Sequence, residues 1–239
     1  MAAESKSSLE LFVPGRLCLF GEHSDWAARY RKTNPSISKG YALVCGTSQG
    51  IYSKVTAHPT HLVMFSHTHT NGELGFRIKM CVSELRKVAL EGEFWSYACG
   101  VAHVMLTRFE NRIGGVCIRN YKTDLPVKKG LSSSAAICVT VVRSFSRVYK
   151  LNISVEEEME LAYQGEIFTG SQCGRLDQCC AFGRAVVLVT FDEDGIKTRL
   201  LNLKHRLHLI IVDLCSSKDT KFILKALNAC YPQPNSDKE

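Results

Sequence analysis

The chain has 239 residues, of which 45% are hydrophobic and 22% charged, with a formal net charge of +7. This composition argues against a disordered chain and suits a globular protein with one large domain, or with one domain and part of a second. Lys and Arg are scattered, no apolar run could cross a membrane, and eleven cysteines occur without an apolar leader, so we expect no nucleic acid, no membrane and a reducing, cytoplasmic location.

The first predicted element is a strand at residues 11–20 that is interrupted by Pro14-Gly15. A polar cluster, Gly21-Glu22-His23-Ser24-Asp25-Trp26, follows it directly. Carboxylates accept hydrogen bonds from hydroxyl groups and an aromatic ring covers an apolar face, so the cluster suits recognition of a hydroxylated ligand. A plain solvated loop is the alternative.

The next part of the chain predicts an antiparallel sheet with one helix against it. After a mobile loop at 27–40, β-rich segments are separated by Gly, Pro and Asn. The predicted elements are strands at Tyr41–Cys45, Ile51–Ala57, His61–Phe65 and Leu74–Met80, a helix over 94–110 and a strand over 115–121.

A loop rich in Gly and Ser, Pro126–Ala136, opens directly into a helix predicted over 132–149. Gly130 permits a tight turn and close approach to a ligand, and the helix adds backbone N–H groups and the positive end of its dipole. These features favour a phosphate site that is not of the Walker type, because the lysines precede the glycine. A Ser-capped helix after a Pro turn is the alternative.

Two isolated acids follow the loop. Ser154-Val155-Glu156-Glu157 is a capping box that starts a helix at about 155–168, with Glu166 near its end. Asp177 lies in the turn-rich segment beyond, 170–178. A surface acid and a turn-capping Asp are the alternatives for these two residues.

The last predicted elements, after residue 178, contain no candidate site residue. Strands are expected at about 185–191 and 198–203, and the apolar run Leu207–Leu214 predicts a buried strand. Lys218–Cys230 has helical spacing, and residues 231–239 suggest an unstructured tail.

A phosphate loop with two acids can serve phosphoryl transfer to an alcohol. That reaction needs a cradle for a triphosphate, oxygen ligands for Mg²⁺, and a group that orients or deprotonates the attacking hydroxyl. The loop at 126–136, Glu166 and Asp177 are candidates for the three parts.

Three segments resemble motifs of the GHMP kinases, a family that includes galactokinase, homoserine kinase, mevalonate kinase and phosphomevalonate kinase. Pro126–Ala136 is similar to the family's second motif, P-x-x-x-G-L-x-S-S-A. Pro14-Gly15-Arg16 with Gly21–Trp26 resembles the first motif in its galactokinase form, G-E-H-T-D-Y, and Cys173–Gln178 resembles the galactokinase segment C-G-x-M-D-Q. Order and spacing agree over about 14–183.

The resemblance implies a role for each matching residue. The loop residues Gly130, Leu131, Ser132, Ser133, Ser134 and Ala135 would bind the ATP phosphates, and a hydroxyl of Ser133 or Ser134 would hold Mg²⁺ together with Glu166. Asp177 would be the catalytic base or the acceptor that aligns the sugar hydroxyl. Arg16 would lie near Asp177 and offset charge in the transition state. Glu22, His23 and Asp25 would bind substrate hydroxyls.

The resemblance also implies an α+β, GHMP kinase-type two-domain fold. Residues 1–10 would be a flexible N-terminus, 11–205 the complete N-terminal domain with a mixed sheet and helices, 206–230 only the start of the C-terminal domain, and 231–239 a tail. Lys128-Lys129 replaces the small residues that the second motif often has, and the glycine-rich third motif is absent from these 239 residues. We therefore expect a short form, a fragment or a truncated gene product with apolar surface exposed.

The implied activity is transfer of the γ-phosphate of ATP to a sugar hydroxyl. A mevalonate kinase-like enzyme is the first alternative, because the spacing from Glu166 to Asp177 also suits that branch. A protein that binds sugar or nucleotide without catalysis is the second. The sequence leaves the particular acceptor and the oligomeric state open.

Overall fold

A computed structural model of the chain describes residues 8–68, 72–126, 129–193, 195–205, 207–212, 215, 226–227, 229 and 231. These residues form one sheet with α-helices and two 3₁₀ helices. The strands are β1 (Leu9–Phe20), β2 (Gly40–His58), β3 (His61–Thr68), β4 (Gly72–Lys79), β5 (Gly115–Thr123), β6 (Val186–Asp192) and β7 (Gly195–Leu201). The α-helices are α1 (Ser24–Ala27), α2 (Val82–Leu90), α3 (Ser96–Arg108), α4 (Ser133–Val148) and α5 (Val155–Phe168), and the 3₁₀ helices are Ala28–Lys32 and Asp177–Phe182.

The sheet is mixed, so the prediction of a purely antiparallel region is wrong at one strand pair. Its order is β4-β3-β5-β2-β6-β7, and β1 pairs with β2 in addition. β3 and β5 run parallel, since β4, α2 and α3 lie between them in the chain and return it to the start of a strand in the same direction, whereas the other pairs are antiparallel. The overall α+β class is confirmed.

β2 is a single strand of 19 residues, and the prediction of two separate strands over this segment is wrong. Gly46 and Gly50 interrupt the apolar pattern in the sequence, but they do not end the strand. Side chains at these positions would collide with the carbonyl oxygens of Gly183 and Val13, which approach the strand closely. The two glycines therefore allow β2 to continue where these two carbonyl groups approach its backbone.

The helices cover one face of the sheet and enclose the core. α4 buries an apolar face that includes Ala136, Val139, Val142 and Phe145, as its 3.6-residue spacing predicts. α5 begins where the capping box predicts, because the Ser154 hydroxyl accepts a hydrogen bond from the Glu157 amide at 3.2 Å. No helix in the described ranges is long and apolar enough to span a membrane.

Several local predictions need correction. β1 already begins at Leu9, so the predicted flexible N-terminus of 1–10 is too long. The segment predicted as a loop at 27–40 contains the 3₁₀ helix Ala28–Lys32, and Arg31 in it forms an ion pair with Asp192 at 2.8 Å. α2 was not predicted, because it buries only Leu85 and Ala89 and its amphipathic pattern is short.

The apolar run after β7 is not a buried strand over the residues described there, 207–212. No strand pairs with it, and Ile210 and Val212 are 93% and 71% exposed. The apolar run predicted a buried strand, which needs a neighbouring strand to pair with, and the described residues contain no strand that pairs with 207–212. Residues 213–214 lie outside the described residues, as do most of the predicted helix at 218–230 and the tail beyond Tyr231.

Candidate active site

The loop rich in Gly and Ser turns through two residues in the left-handed region, Gly130 and Ser132, before α4 begins at Ser133. Gly130 has φ +78°, and nothing lies within 4 Å of where its Cβ would be, so the space above it is open. Ser132 has φ 56° and ψ 48°, which is uncommon for a residue with a side chain. Its hydroxyl does not cap the helix but donates to Oδ1 of Asp177 at 2.8 Å. The alternative of a Ser-capped helix is therefore wrong, because the Ser132 side chain does not cap α4.

Arg16 connects this loop to the acids. It follows an irregularity in β1 between Pro14 and Arg16, and its backbone N–H donates to the Leu131 carbonyl at 3.1 Å. Its guanidinium, only 5% exposed as a residue, donates to Oε2 of Glu22 at 2.9 Å and to Oδ1 of Asp177. Burial alone would lower the pKa of Arg16, but the charges of Asp177 and Glu22 raise it further than burial lowers it. The guanidinium is therefore a fixed positive charge.

Asp177 is the first residue of the 3₁₀ helix Asp177–Phe182, and its side chain is 28% exposed. Among the described residues, both of its side-chain hydrogen bonds, from Arg16 and Ser132, end on Oδ1. The second oxygen, Oδ2, is thus left for a hydroxyl group of a bound molecule. An ionised carboxylate held in this way can align a hydroxyl and accept its proton.

Glu166 is a buried acid behind the loop. It lies in the last turn of α5 and is only 2% exposed. Its carboxylate accepts a hydrogen bond from Nε2 of Gln178 at 2.8 Å and is also hydrogen-bonded to the Ser134 hydroxyl. Burial raises its pKa to about 7, the nearby Asp177 charge adds to the increase, and the hydrogen bonds oppose it. A surface acid is therefore the wrong interpretation of Glu166.

The donor set around Glu166 fits Mg²⁺. The described residues contain no group of three or more His, Cys, Asp or Glu side chains that could hold a metal by themselves. Mg²⁺ prefers oxygen ligands and is commonly held by one or two carboxylates together with substrate phosphates and water. Glu166 and Ser134 supply the carboxylate and hydroxyl oxygens near the loop, and within the described part of the chain the hydroxyl that contacts this acid is that of Ser134, not that of Ser133.

The predicted acceptor cluster is brought only partly into this site. Glu22 shares the Arg16 guanidinium with Asp177, and its side chain is 43% exposed. Asp25 is half-buried near Asp177; loss of solvation raises its pKa, and its oxygens accept from the N–H groups of Leu176 and Trp26 at 3.2 and 2.9 Å. His23 has a left-handed backbone and lies with its ring centroid 6.2 Å from that of Trp26.

Gly174 is required where the acceptor cluster meets the segment before Asp177. A Cβ at this position would overlap Oδ2 of Asp25. We expect Gly174→Ala to destabilise the protein by about 1–3 kcal/mol, because neither the loop nor the Asp25 carboxylate can move without losing hydrogen bonds. Urea unfolding of Gly174→Ala, of Asp25→Ala and of the double variant measures the coupling free energy between the two positions. Additive effects of the two substitutions would show that the collision does not cause the loss.

Two site residues have roles that sequence reasoning missed. Ser132 was assigned to phosphate, but its hydroxyl is engaged by Asp177, 45 residues later in the chain. Gln178 received no role, although its amide contacts Glu166. The only signal for Gln178 in the sequence was its place directly after Asp177.

The arrangement has known counterparts. Residues 96–184 match the family profile described as GHMP kinases N terminal domain. The chain is 30% identical to a galactokinase of Pyrococcus furiosus over 193 residues, which cover 80% of this chain and 49% of that protein. It is 28% identical to a galactokinase of Thermococcus kodakarensis over 205 residues, which cover 85% and 52%. The chain thus spans about half the length of the curated relatives it matches.

Solved structures agree on the fold. A Lactococcus lactis galactokinase complexed with galactose has a TM-score of 0.64 at 23% identity, with 84% of this chain and 49% of that chain covered. A Methanococcus jannaschii mevalonate kinase has a TM-score of 0.59 at 16% identity, with 81% and 56% covered. The profile, the relatives and the fold are consistent with one another: residues 96–184 carry the N-terminal domain of the GHMP kinases, and the chain has the corresponding α+β fold.

Proposed function

We propose that this chain carries the nucleotide and acceptor site of an ATP-dependent sugar kinase that transfers the γ-phosphate to a sugar hydroxyl. The observation that carries the proposal is one hydrogen-bonded unit: Arg16 and Ser132 both donate to Asp177, and Arg16 also contacts Glu22. Charge compensation, phosphate loop and proton acceptor are thus joined directly. The galactokinase relatives support a sugar as the acceptor.

The loop binds the phosphates in this proposal. The first backbone N–H groups of α4, at Ser133, Ser134 and Ala135, follow directly on the turn at Gly130, where a Cβ would meet no atom of the described residues within 4 Å. The exposed Lys129 adds positive charge at the mouth of the turn, while Val127 and Lys128 lie outside the described residues. Mg²⁺, held by Glu166 and Ser134, would neutralise charge on the phosphates.

Asp177 performs the acid–base step. Oδ2 accepts a hydrogen bond from the acceptor hydroxyl and takes its proton as the oxygen attacks the γ-phosphorus, while the bond from that phosphorus to the β–γ bridging oxygen breaks and ADP leaves. Arg16 forms an ion pair with Asp177 and offsets the negative charge that develops during the transfer. Ser132 holds the carboxylate in a fixed orientation relative to the loop.

The acceptor is positioned by the first motif. The exposed carboxylate of Glu22 can accept from sugar hydroxyls on the side of Arg16 that faces away from Asp177. Asp25 already accepts two backbone hydrogen bonds, so we assign it to shaping the pocket with any remaining lone pairs directed at the sugar. His23 and Trp26 would form the wall of the pocket.

A panel of acceptors tests the proposal. ADP release is measured with ATP, Mg²⁺ and one acceptor at a time: galactose, other hexoses, a heptose and mevalonate. We expect ADP release with at least one sugar and none above background with mevalonate. Preference for mevalonate would overturn the sugar assignment, and sugar binding without ADP release would favour a binding protein.

A further inference from the structure

Gln178 is a polar side chain enclosed completely in the protein. It is 0% exposed and lies in the 3₁₀ helix directly after Asp177. Its Nε2 donates to Oε2 of Glu166 at 2.8 Å and is 3.8 Å from Sγ of Cys173. Its Oε1 is buried and has no hydrogen-bond partner among the described residues. Half of the amide is therefore used, and half is left unsatisfied.

The unsatisfied carbonyl indicates that Gln178 is not present for stability alone. A buried acceptor without a partner costs about 1–3 kcal/mol, and an apolar side chain of the same size would avoid that cost. The amide also has only one sensible orientation, because the Glu166 carboxylate needs a donor. Gln178 contributes the N–H donors of Nε2: one is directed at Glu166, and the other contacts the Cys173 sulfur, which is a weak acceptor.

That N–H defines the orientation of the acid. Ser134, in the first turn of α4, contacts the Glu166 carboxylate from one element, and Gln178 donates to Oε2 from another. One contact would leave the carboxylate free to rotate about its last side-chain bond, whereas two contacts from separate elements fix its plane. Since Gln178 follows Asp177 in the same 3₁₀ helix, this helix carries Asp177 itself and also the side chain that contacts Glu166.

We propose that Gln178 is a positioning residue that orients the Glu166 carboxylate toward Mg²⁺ bound with the nucleotide and keeps Glu166 in register with Asp177. This inference rests on the proposed function. Residues that orient a metal ligand through a hydrogen bond commonly change metal affinity about 10–100-fold when they are replaced. Gln178 has the geometry of such a residue, although it contacts neither acceptor nor phosphate.

The test uses Gln178→Met, which keeps the length of the side chain and removes both the donor and the orphan carbonyl. The matched control is Gln164→Met, because Gln164 also donates from Nε2 to a glutamate, Glu160, at 3.0 Å, but it does so on the exposed face of α5. Two quantities are measured for the full chain: the thermal unfolding midpoint without ligand, and the Mg²⁺ dependence of binding of a non-hydrolysable ATP analogue by calorimetry.

We expect Gln178→Met to unfold within a few degrees of the unmodified protein, because the lost donor and the removed orphan carbonyl offset each other. Binding of the analogue without Mg²⁺ should change less than about twofold, while the Mg²⁺ concentration that gives half of the Mg²⁺-dependent gain should rise about tenfold. Gln164→Met should match the unmodified protein in each measurement.

Two results would overturn the inference. An unchanged Mg²⁺ dependence in Gln178→Met would show that the amide does not orient Glu166, and a Gln178→Met chain that fails to fold would show that the amide is structural. The proposed function fails separately: if the unmodified chain binds no nucleotide, both proposals fall, whereas binding and transfer with an unaffected variant removes only the role of Gln178.

Discussion

Asp177→Asn is expected to reduce phosphoryl transfer by about 10²–10⁴-fold, the range associated with a positioned general base. Asn keeps an oxygen that can accept from Arg16 and Ser132, so the geometry around Oδ1 is preserved. It cannot take the proton of the acceptor hydroxyl. Transfer is measured as ADP release at saturating acceptor, and binding of the ATP analogue is measured beside it.

Binding of the nucleotide analogue should survive in Asp177→Asn within a few fold, because the loop at 130–135 does not depend on the carboxylate charge. Asp192→Asn is the matched control, since Asp192 also pairs with two cations, Arg31 and Lys39, but at the end of β6. It should retain full transfer. An Asp177→Asn variant with transfer close to that of the unmodified protein would remove Asp177 from the acid–base role.

Glu166→Gln is expected to separate function from stability. Transfer should fall to background, because the amide supplies no negative charge for Mg²⁺. The metal-free and nucleotide-free protein, in contrast, should become more stable at pH 8 by on the order of 1–3 kcal/mol, since an uncharged side chain avoids burying an ionised carboxylate.

The pH dependence of this gain follows from the raised pKa of Glu166, which moves from 4.5 to about 7 in the folded protein. Between these values the folded state binds more protons than the unfolded state, so the contribution of Glu166 to stability is fully present below pH 4.5 and is lost as pH rises through 7. Urea unfolding at pH 5 and pH 8 should therefore show a larger gain for Glu166→Gln at pH 8. Equal gains in the free energy of unfolding at both pH values would contradict a raised pKa of Glu166 in the folded protein.

Much of the fold was predictable where local signals and tertiary structure agree. Ser154 and the spacing behind it define α5 because the cap and the apolar face lie within one segment. β2 was not predictable as one strand, since its continuity depends on Val13 and Gly183 approaching two of its glycines. Residues 207–212 belong to an apolar run, and such a run shows that the segment could be buried but not whether a partner strand is present.

The candidate site also has features that the sequence predicted and features that it did not. Gly130 and Asp177 were predicted as site residues from the motifs, and the structure brings their segments together through the hydrogen bond from Ser132 to Asp177. The hydrogen bonds of Ser132 and Gln178 were not predictable, because each crosses between elements and depends on how α4, α5 and the 3₁₀ helix pack. Asp25 shows the converse: the sequence marked it as a ligand for substrate, and the fold also uses its oxygens to hold the backbone at Leu176.

The central claim is that this site moves phosphate from ATP to a sugar hydroxyl, and single-turnover transfer of label tests it most directly. The chain in excess is mixed with γ-³²P-labelled ATP, Mg²⁺ and galactose or another sugar selected from the acceptor panel, and the products are separated by chromatography. The account predicts that label appears on the sugar with the unmodified chain and is absent with Asp177→Asn. Label that stays on ATP, or that appears only as inorganic phosphate, would contradict it.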